Sequence, residues 1–134
     1  MNAFPLRIVT PDGMKFEGQV EELIVRTTSG DLGILDGHIN CVAPLGMGMA
    51  TILMDGKKRY GACIGGMLSV MDGKATLVPT TFEWADEIDA ARVEASYERA
   101  QSVLHSKDAS STDIQLAEAR LRRALVRKSV ATRK

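Results

Sequence analysis

The chain has 134 residues, and its 17 lysine and arginine side chains balance its 17 aspartate and glutamate side chains. This length suits one domain or a small domain with an appendage, and the absence of a basic excess argues against a dedicated nucleic-acid-binding protein. The apolar runs are too short for a transmembrane helix, and the first residues lack the pattern of a secretory signal, so we expect a soluble intracellular protein. Cys41 and Cys63 lack the spacing of a zinc or redox motif and are predicted to be free thiols.

The first 80 residues contain all twelve glycines and all four prolines, and short β-rich segments alternate there with turn signals. Asp55-Gly56 and Asp72-Gly73 predict tight hairpins, because both residue types tolerate positive φ angles. Pro11-Asp12-Gly13 predicts a further turn, and Gly65-Gly66 a bulge or corner. Many short strands with frequent turns predict an antiparallel β-sandwich rather than a parallel sheet. The predicted strands are residues 4–10, 20–27, 49–54, 59–64, 67–71 and 75–78.

After residue 84 the apolar residues recur at the helical period. A polar break over residues 106–113 separates two predicted helices, and Thr112–Gln115 has the form of a capping box. Helices joined by so short a break fold back as an antiparallel hairpin. The sequence therefore predicts a β + α fold, with a β-sandwich over residues 1–84 and a helical hairpin over residues 85–134. Each predicted helix has a stripe of apolar residues that is expected to face inward. The stripe of the first helix is Ala91, Val93, Ala95, Tyr97, Ala100, Val103 and Leu104, and that of the second is Ile114, Ala117, Leu121, Ala124 and Leu125.

Alanine dominates these stripes, and this composition predicts a weakly held hairpin. An alanine side chain removes little apolar area from water, and each Å² contributes only ~25 cal/mol. We therefore expect the hairpin to be detachable from the sandwich. Trp84, the sole tryptophan, is expected to pack between the sandwich and the first helix.

Positive charge is concentrated at the end of the chain. Residues 119–134 contain seven basic side chains and no acidic one. A helix dipole favours cations at its C-terminus, which explains part of this excess.

Folding the hairpin about residues 109–110 brings Arg92 level with Arg127 and Ser96 level with Arg123, near Glu83 and Asp89. Two interpretations remain open. Asp89 can cap the first helix while Arg92 and Arg127 pair with the two carboxylates, or the arginines can bind a small anion or nucleotide. The residues alone favour the structural interpretation, because no glycine-rich phosphate loop is present.

Catalytic patterns are not recognisable in the sequence. The two histidines, His38 and His105, show no spacing typical of a Ser/His/Asp or Cys/His arrangement. His38 lies in a glycine-flanked loop and is interpreted as part of a protein contact. We therefore do not expect an enzyme.

Several segments together resemble the epsilon subunit of the bacterial F-type ATP synthase, over essentially the whole chain. They are Val-Thr-Pro-Asp-Gly at 9–13, Ser-Gly-Asp-Leu-Gly-Ile-Leu at 29–35, Gly-His-Ile at 37–39, Val-Ala-Pro-Leu at 42–45 and Gly-Gly-Met-Leu-Ser-Val at 65–70. The resemblance implies a non-catalytic central-stalk subunit of a proton-translocating enzyme, peripheral at the cytoplasmic face of the bacterial cell membrane. Its sandwich would bind the gamma subunit and the c-ring, with Asp31 and His38 as contact residues, and would reach the membrane only through the complex.

The resemblance also implies that the hairpin regulates ATP hydrolysis. Extended along gamma, its basic second helix would reach the catalytic alpha and beta subunits and inhibit them. The basic residues concerned are Arg120, Arg122, Arg123, Arg127 and Lys128. A rival interpretation is a constitutive assembly clamp whose hairpin stays folded. A nucleic-acid adaptor is disfavoured, because no aromatic stacking platform accompanies the arginines.

Bacillus-type members of this family bind ATP as a regulatory ligand on the folded hairpin, and this chain resembles them. The segment Ile88-Asp89-Ala90-Ala91-Arg92 matches their motif, although Val93 replaces an alanine. The loop around His38 also differs from the family pattern, because Asp36 and Asn40 stand where relatives often have prolines. The implied ligand is ATP, alone or with Mg²⁺. The implied ATP-binding residues are Glu83, Ile88, Asp89, Arg92, Arg99, Arg123 and Arg127.

Overall fold

The structure, a computed structural model, describes residues 2–133. Strands come first and two helices follow, so the predicted β + α fold is confirmed. A short 3₁₀ helix, Ala85–Glu87, leads into α1 (Ala90–Leu104) and α2 (Ser111–Ala131). Neither helix within residues 2–133 is long and apolar enough to cross a membrane. The strands are β1 (Phe4–Thr10), β2 (Gly13–Val20), β3 (Glu22–Thr27), β4 (Gly30–Ile34), β5 (Cys41–Pro44), β6 (Met47–Met54), β7 (Lys57–Ile64), β8 (Met67–Met71), β9 (Lys74–Val78) and β10 (Thr81–Trp84).

Two five-stranded sheets face each other, in the orders β2-β1-β9-β8-β5 and β10-β7-β6-β3-β4. Neighbouring strands run antiparallel, apart from the parallel pair β1 and β9. Strand β1 shows how the core forms: Phe4, Leu6 and Ile8 are buried, whereas Arg7 is exposed and pairs with Glu17. This period-two burial against a second sheet is the sandwich that the sequence predicts.

The two Asp-Gly hairpins adopt the predicted turn. Asp55 and Gly56 have φ angles of 53° and 74°, and Asp72 and Gly73 have 51° and 79°. Two successive positive φ angles define the type I′ turn, whose twist matches that of the flanking strands. The turns join β6 to β7 and β8 to β9 as expected.

Four strands are absent from the prediction, and one predicted strand begins two residues too early. Residues 20–27 form the end of β2 and all of β3, with Glu21 between them. Strands β2, β4 and β5 were missed because they are short or largely exposed and contain glycine or proline, so no alternating apolar pattern identifies them. The fourth, β10, follows Pro79 directly and contains only four residues.

The helical hairpin forms as predicted, but three details differ. Ser110, rather than Thr112, is the N-cap of α2, and it exchanges hydrogen bonds with Asp113 in a capping box. The polar break is accordingly shorter than predicted. Ala91, Ala95 and Leu125 are exposed, since the buried positions of the two helices are Val93, Ala100, Ala117, Ala124 and Val130.

A second apolar cluster joins the hairpin to the outer face of the β10-β7-β6-β3-β4 sheet. It contains Ala62 of β7, Ala85 and Ile88 of the connection, and residues of both helices, with Met49 and Tyr60 packed against it. Trp84 instead belongs to the sandwich core, where its ring packs against Phe16 and Phe82. The expectation that Trp84 packs against the first helix is therefore wrong: alternation along β10 turns Phe82 and Trp84 inward and Glu83 outward.

Both cysteines are free, as predicted. Burial raises the pKa of the Cys63 thiol to about 12, because the thiolate would lose its hydration in the core. Cys63 therefore stays protonated and unreactive at neutral pH. Cys41 is half-buried at the start of β5, with its Sγ atom 4.0 Å from Nδ1 of His38.

Candidate functional site

A polar cavity of about 470 Å³ lies where the hairpin meets the end of β10. Side chains from β10, the 3₁₀ helix, the first two thirds of α1 and the last third of α2 surround it. It is therefore assembled only when the hairpin is folded against the sandwich. The lining residues are Glu83, Glu87, Asp89, Arg92, Val93, Ser96, Arg99 and Arg127.

Strand alternation places the first acidic group. Glu83 points out of the sandwich, towards α2, because its neighbours in β10 point inward. Its Oε1 atom accepts a hydrogen bond of 2.6 Å from Nε of Arg127, and both side chains are largely shielded from solvent. This contact ties the edge of the sandwich to the end of the hairpin.

Helix geometry places the groups of α1. Asp89 is the N-cap, and its Oδ1 atom accepts a hydrogen bond of 3.1 Å from the backbone amide of Arg92. Arg92, Ser96 and Arg99 follow at intervals of four and three residues, so they share one face of the helix. That face lines the cavity.

The cavity wall carries three carboxylates and three guanidiniums. Glu83 engages Arg127, and Glu87 accepts a hydrogen bond of 3.0 Å from the amide of Trp84. Among residues 2–133, neither Arg92 nor Arg99 forms an ion pair with a carboxylate. These two guanidiniums are therefore available to an anion in the cavity, whereas the carboxylates offer acceptors to hydrogen-bond donors.

Five of the seven residues predicted for ATP binding meet at this cavity: Glu83, Asp89, Arg92, Arg99 and Arg127. Ile88 is buried in the second apolar cluster, so its side chain is part of the support for the cavity. Arg123 is half-buried on α2 and is not among the lining residues. Glu87 was missed by the sequence prediction: its carboxylate accepts a hydrogen bond from the amide of Trp84, but tryptophan has no acceptor to complete a capping box, so no familiar motif marks the position.

The remaining basic residues of α2 lie in three different surroundings. Nζ of Lys128 lies 2.9 Å from Oε2 of Glu94 and 4.2 Å from the ring centre of Tyr97. The hydrogen bond to Glu94 raises the pKa of Lys128, because it favours the charged amine. Arg120 lines a larger cavity between the helices, together with Arg99, and Arg122 borders a groove along β3 and β6.

The two predicted contact residues lie at opposite ends of β4. Asp31 is at its beginning and forms an exposed ion pair with Arg26, at 3.0 Å. His38 is in the loop after its end, where Nδ1 lies 2.8 Å from the backbone oxygen of Ile39. Asn40 anchors this loop, since its side-chain oxygen accepts a hydrogen bond of 2.8 Å from the amide of Asp72.

Comparison with known proteins connects this architecture to a family. A family model described as the beta-sandwich domain of the ATP synthase delta/epsilon chain matches residues 3–85. A second, described as the long alpha-helix domain of the same chain, matches residues 86–132. The chain belongs to the ATP synthase delta/epsilon family. The resemblance stated from the sequence is therefore confirmed.

Relatives within this delta/epsilon family match the chain over most of its length. Proteins named ATP synthase epsilon chain are 43% identical over 135 residues in Ruminococcus albus, covering all of both chains, and 41% identical over 131 residues in Bacillus velezensis, covering 98% of both. The epsilon chain of Bacillus subtilis is 43% identical over 114 residues, which are 85% of this chain and 86% of that one.

Solved structures share the fold at lower sequence identity. A chain of the Euglena gracilis mitochondrial ATP synthase, solved as an OSCP/F1/c-ring assembly, aligns with a TM-score of 0.83 at 23% identity and covers 95% of this chain and 80% of that chain. A chain of the Tetrahymena thermophila mitochondrial ATP synthase central stalk and c-ring aligns with a TM-score of 0.61 at 14% identity, covering 95% of each chain.

Proposed function

We propose that this delta/epsilon family member is a non-catalytic central-stalk subunit of a proton-translocating bacterial F-type ATP synthase. The main support is that the sandwich and the hairpin each match a domain of this family. In addition, a relative named ATP synthase epsilon chain matches the chain over its full length. In this role the sandwich binds the gamma subunit and the c-ring. The subunit is peripheral at the cytoplasmic face of the cell membrane and is held there through the complex.

The loop after β4 offers a surface suited to that docking. Leu35 and Ile39 of this loop and Val42 of the following strand expose large apolar side chains within four residues of His38 in the sequence. Exposed apolar side chains grouped in this way are typical of protein contact sites. Asp31, at the far end of β4, is the second proposed contact and presents a carboxylate that Arg26 holds in place.

We further propose that the polar cavity binds ATP, alone or with Mg²⁺, and that ATP stabilises the folded hairpin. Support comes from Arg92 and Arg99, which form no ion pair with a carboxylate among residues 2–133 and suit a phosphate chain, and from the carboxylates that line the same cavity. The cavity exists only while α1, α2 and β10 are together, so its ligand favours the folded state by its differential affinity. When ATP is scarce, the hairpin extends and its basic helix restrains hydrolysis by the alpha and beta subunits.

Calorimetric titration of the isolated chain with ATP tests this site. Arg92→Ala is expected to weaken ATP binding by about 1.5–3 kcal/mol, the value of one hydrogen bond to a charged group. Arg122→Ala is the matched control, because Arg122 lies on α2 beside a different groove. We expect this variant to bind ATP with the affinity of the unsubstituted chain. Equal affinities in Arg92→Ala and Arg122→Ala would contradict the site. Arg123→Ala should be measured alongside, since Arg123 is a predicted ligand that does not line the cavity.

A constitutive clamp is the second candidate function, favoured by the interactions that already hold the folded hairpin. Glu83 pairs with Arg127, and Glu94 pairs with Lys128, without a ligand. If these contacts were sufficient, the arginines would be structural. ATP would then not regulate the hydrolysis rate through the hairpin.

A disulfide between the helices separates the two candidates. Ala100 of α1 and Ala117 of α2 are buried residues that line the same interhelical cavity, and paired cysteines would be introduced at these two positions. The variant would be made with Cys41→Ser and Cys63→Ala, and reconstituted with ATP synthase lacking its epsilon chain. A regulatory hairpin whose two helices separate on extension predicts that oxidation relieves inhibition at low ATP, and that reduction restores it. The clamp predicts the same hydrolysis rate in both states.

A further inference from the structure

The hairpin contains a second cavity, next to the polar cavity described above. This interhelical cavity has a volume of about 720 Å³, lies between α1 and α2, and reaches the loop that connects them. Pockets of roughly 300–1,000 Å³ are the size that small-molecule ligands occupy in proteins. The cavity therefore has room for a small molecule, and the chemistry of its wall decides which class.

The floor of the interhelical cavity is apolar. Ala100 of α1 and Ala117 of α2 are buried there, and their short side chains fill little of the space between the helices. Val103 is half-buried beside them, and Leu116 keeps 52% of its surface exposed. An apolar ligand body placed on this floor would cover these side chains, and removal of their area from water favours binding.

Two guanidiniums stand at one end of this floor. Arg99 precedes Ala100 in α1, whereas Arg120 follows Ala117 in α2. Because the helices are antiparallel, these opposite directions along the chain lead to the same end of the cavity, away from the connecting loop. Both arginines are exposed, and no carboxylate of the described segment 2–133 forms an ion pair with either one. Two such guanidiniums beside an apolar floor suit the carboxylate head of a ligand.

The loop end of the cavity carries the opposite charge. Asp108 and Asp113 line it there, and Asp113 is also the capping-box partner of Ser110. These carboxylates repel an anion and the arginines attract it, so the cavity orients a ligand that has one charged head. The head would lie at Arg99 and Arg120, and the apolar body would extend over the floor towards the loop.

We propose that the interhelical cavity binds an amphipathic organic anion, a molecule with one carboxylate head and an unbranched apolar body. Such a ligand bridges α1 and α2 and makes no contact with the sandwich. A free carboxylate and an anionic lipid share this chemistry, and the free molecule is the occupant because the site is a cleft between two helices rather than a flat membrane-facing surface. Arg99 also lines the polar cavity, whereas Arg120 is not among that cavity's lining residues, so Arg120 identifies this site.

Octanoate, titrated below its micelle concentration into the full-length chain, is the probe for this site. Amide chemical shifts in nuclear magnetic resonance spectra locate the bound molecule, and we expect shifts over residues 99–103 and 116–120 but not in the sandwich. Arg120→Ala is expected to weaken octanoate binding by about tenfold or more, the effect of losing one hydrogen bond to a charged group. Arg122→Ala, on the same helix beside a different groove, should bind octanoate as the unsubstituted chain does.

1-Octanol separates the contribution of the head from that of the body, because it has the same chain without the charge. Arg120→Ala should leave octanol binding unchanged, whereas Leu116→Ser should weaken the binding of both molecules several-fold. Leu125→Ser is the matched control for Leu116→Ser, since Leu125 is 47% exposed on the same helix and does not line the cavity.

Four outcomes would overturn the proposal. They are the absence of octanoate binding, equal octanoate affinity in Arg120→Ala and Arg122→Ala, octanoate shifts concentrated in the sandwich, and binding to phosphatidylglycerol vesicles in place of octanoate. None of these measurements uses ATP or ATP synthase, so failure of this proposal is separable from failure of the proposed function.

Discussion

Gly66→Ala is expected to destabilise the sandwich by about 2–5 kcal/mol, the sum of backbone strain of about 1–2 and a steric clash of about 1–3. Gly66 connects β7 to β8 with a φ angle of 94°, a region that side chains rarely adopt. A Cβ atom there would overlap the backbone oxygen of Val78 and lie 2.6 Å from Cα of Pro79. Because both neighbours are backbone atoms, a side-chain rotation cannot relieve the clash. Urea unfolding followed by Trp84 fluorescence measures the loss, since Trp84 lies in the sandwich core.

Gly73→Ala is the control for that prediction. Gly73 has a φ angle of 79°, but among residues 2–133 no neighbouring atom lies within 4 Å of the point that an alanine Cβ would occupy, so only the strain remains. We expect a loss of about 1–2 kcal/mol. Equal losses in the two variants would show that the close approach of the β7–β8 connection to Val78 and Pro79 has no energetic consequence.

Reversing the charge of Arg127 is expected to have the largest effect on the hairpin. Arg127→Glu removes a charge-assisted hydrogen bond worth about 1.5–3 kcal/mol and places a second carboxylate beside Glu83. The docked population and ATP binding should both fall. Hydrogen exchange over residues 85–88 and ATP calorimetry measure the two effects in the same protein.

The double variant Glu83→Arg with Arg127→Glu distinguishes packing from ligand binding. An ion pair of reversed polarity restores docking, so hydrogen exchange should return towards that of the unsubstituted chain. ATP binding should stay weak, because the ligand now meets a carboxylate on α2 and a guanidinium on β10. Recovery of ATP affinity together with docking would mean that Arg127 acts only through the hairpin and does not contact the ligand.

Much of the fold was predictable because it depends on local patterns. Alternating burial in β1, the Asp-Gly turns and the helical period after residue 84 are each written in a few consecutive residues. Strands β2, β4 and β5 escaped prediction because their pairing partners, rather than their own composition, make them strands. The misplaced α2 cap has a similar cause. Ser110 and Thr112 both lie three residues before a polar side chain, so the local pattern fits either residue, and the structure places the cap at Ser110.

The site was predictable to a lesser degree. Helix spacing predicts that Arg92 and Arg99 share one face of α1, and antiparallel folding predicts that Arg127 lies near them. In the structure, all three arginines line the same cavity. Glu87 was missed because its role depends on the 3₁₀ turn that brings it back to the amide of Trp84. Whether these residues bind ATP stays a prediction for the titration.

The amino-acid sequence by itself determined the order of sandwich and hairpin, the hairpin turns and the basic end of α2, because propensity, period and charge act over short stretches of chain. Only the tertiary structure decided which groups neutralise that charge. Glu83 lies 44 positions before Arg127 in the chain and meets it at 2.6 Å, since strand alternation turns Glu83 outward and packing of Val130 fixes α2 above it. Contacts between such distant residues depend on how whole elements pack, and no local pattern records that.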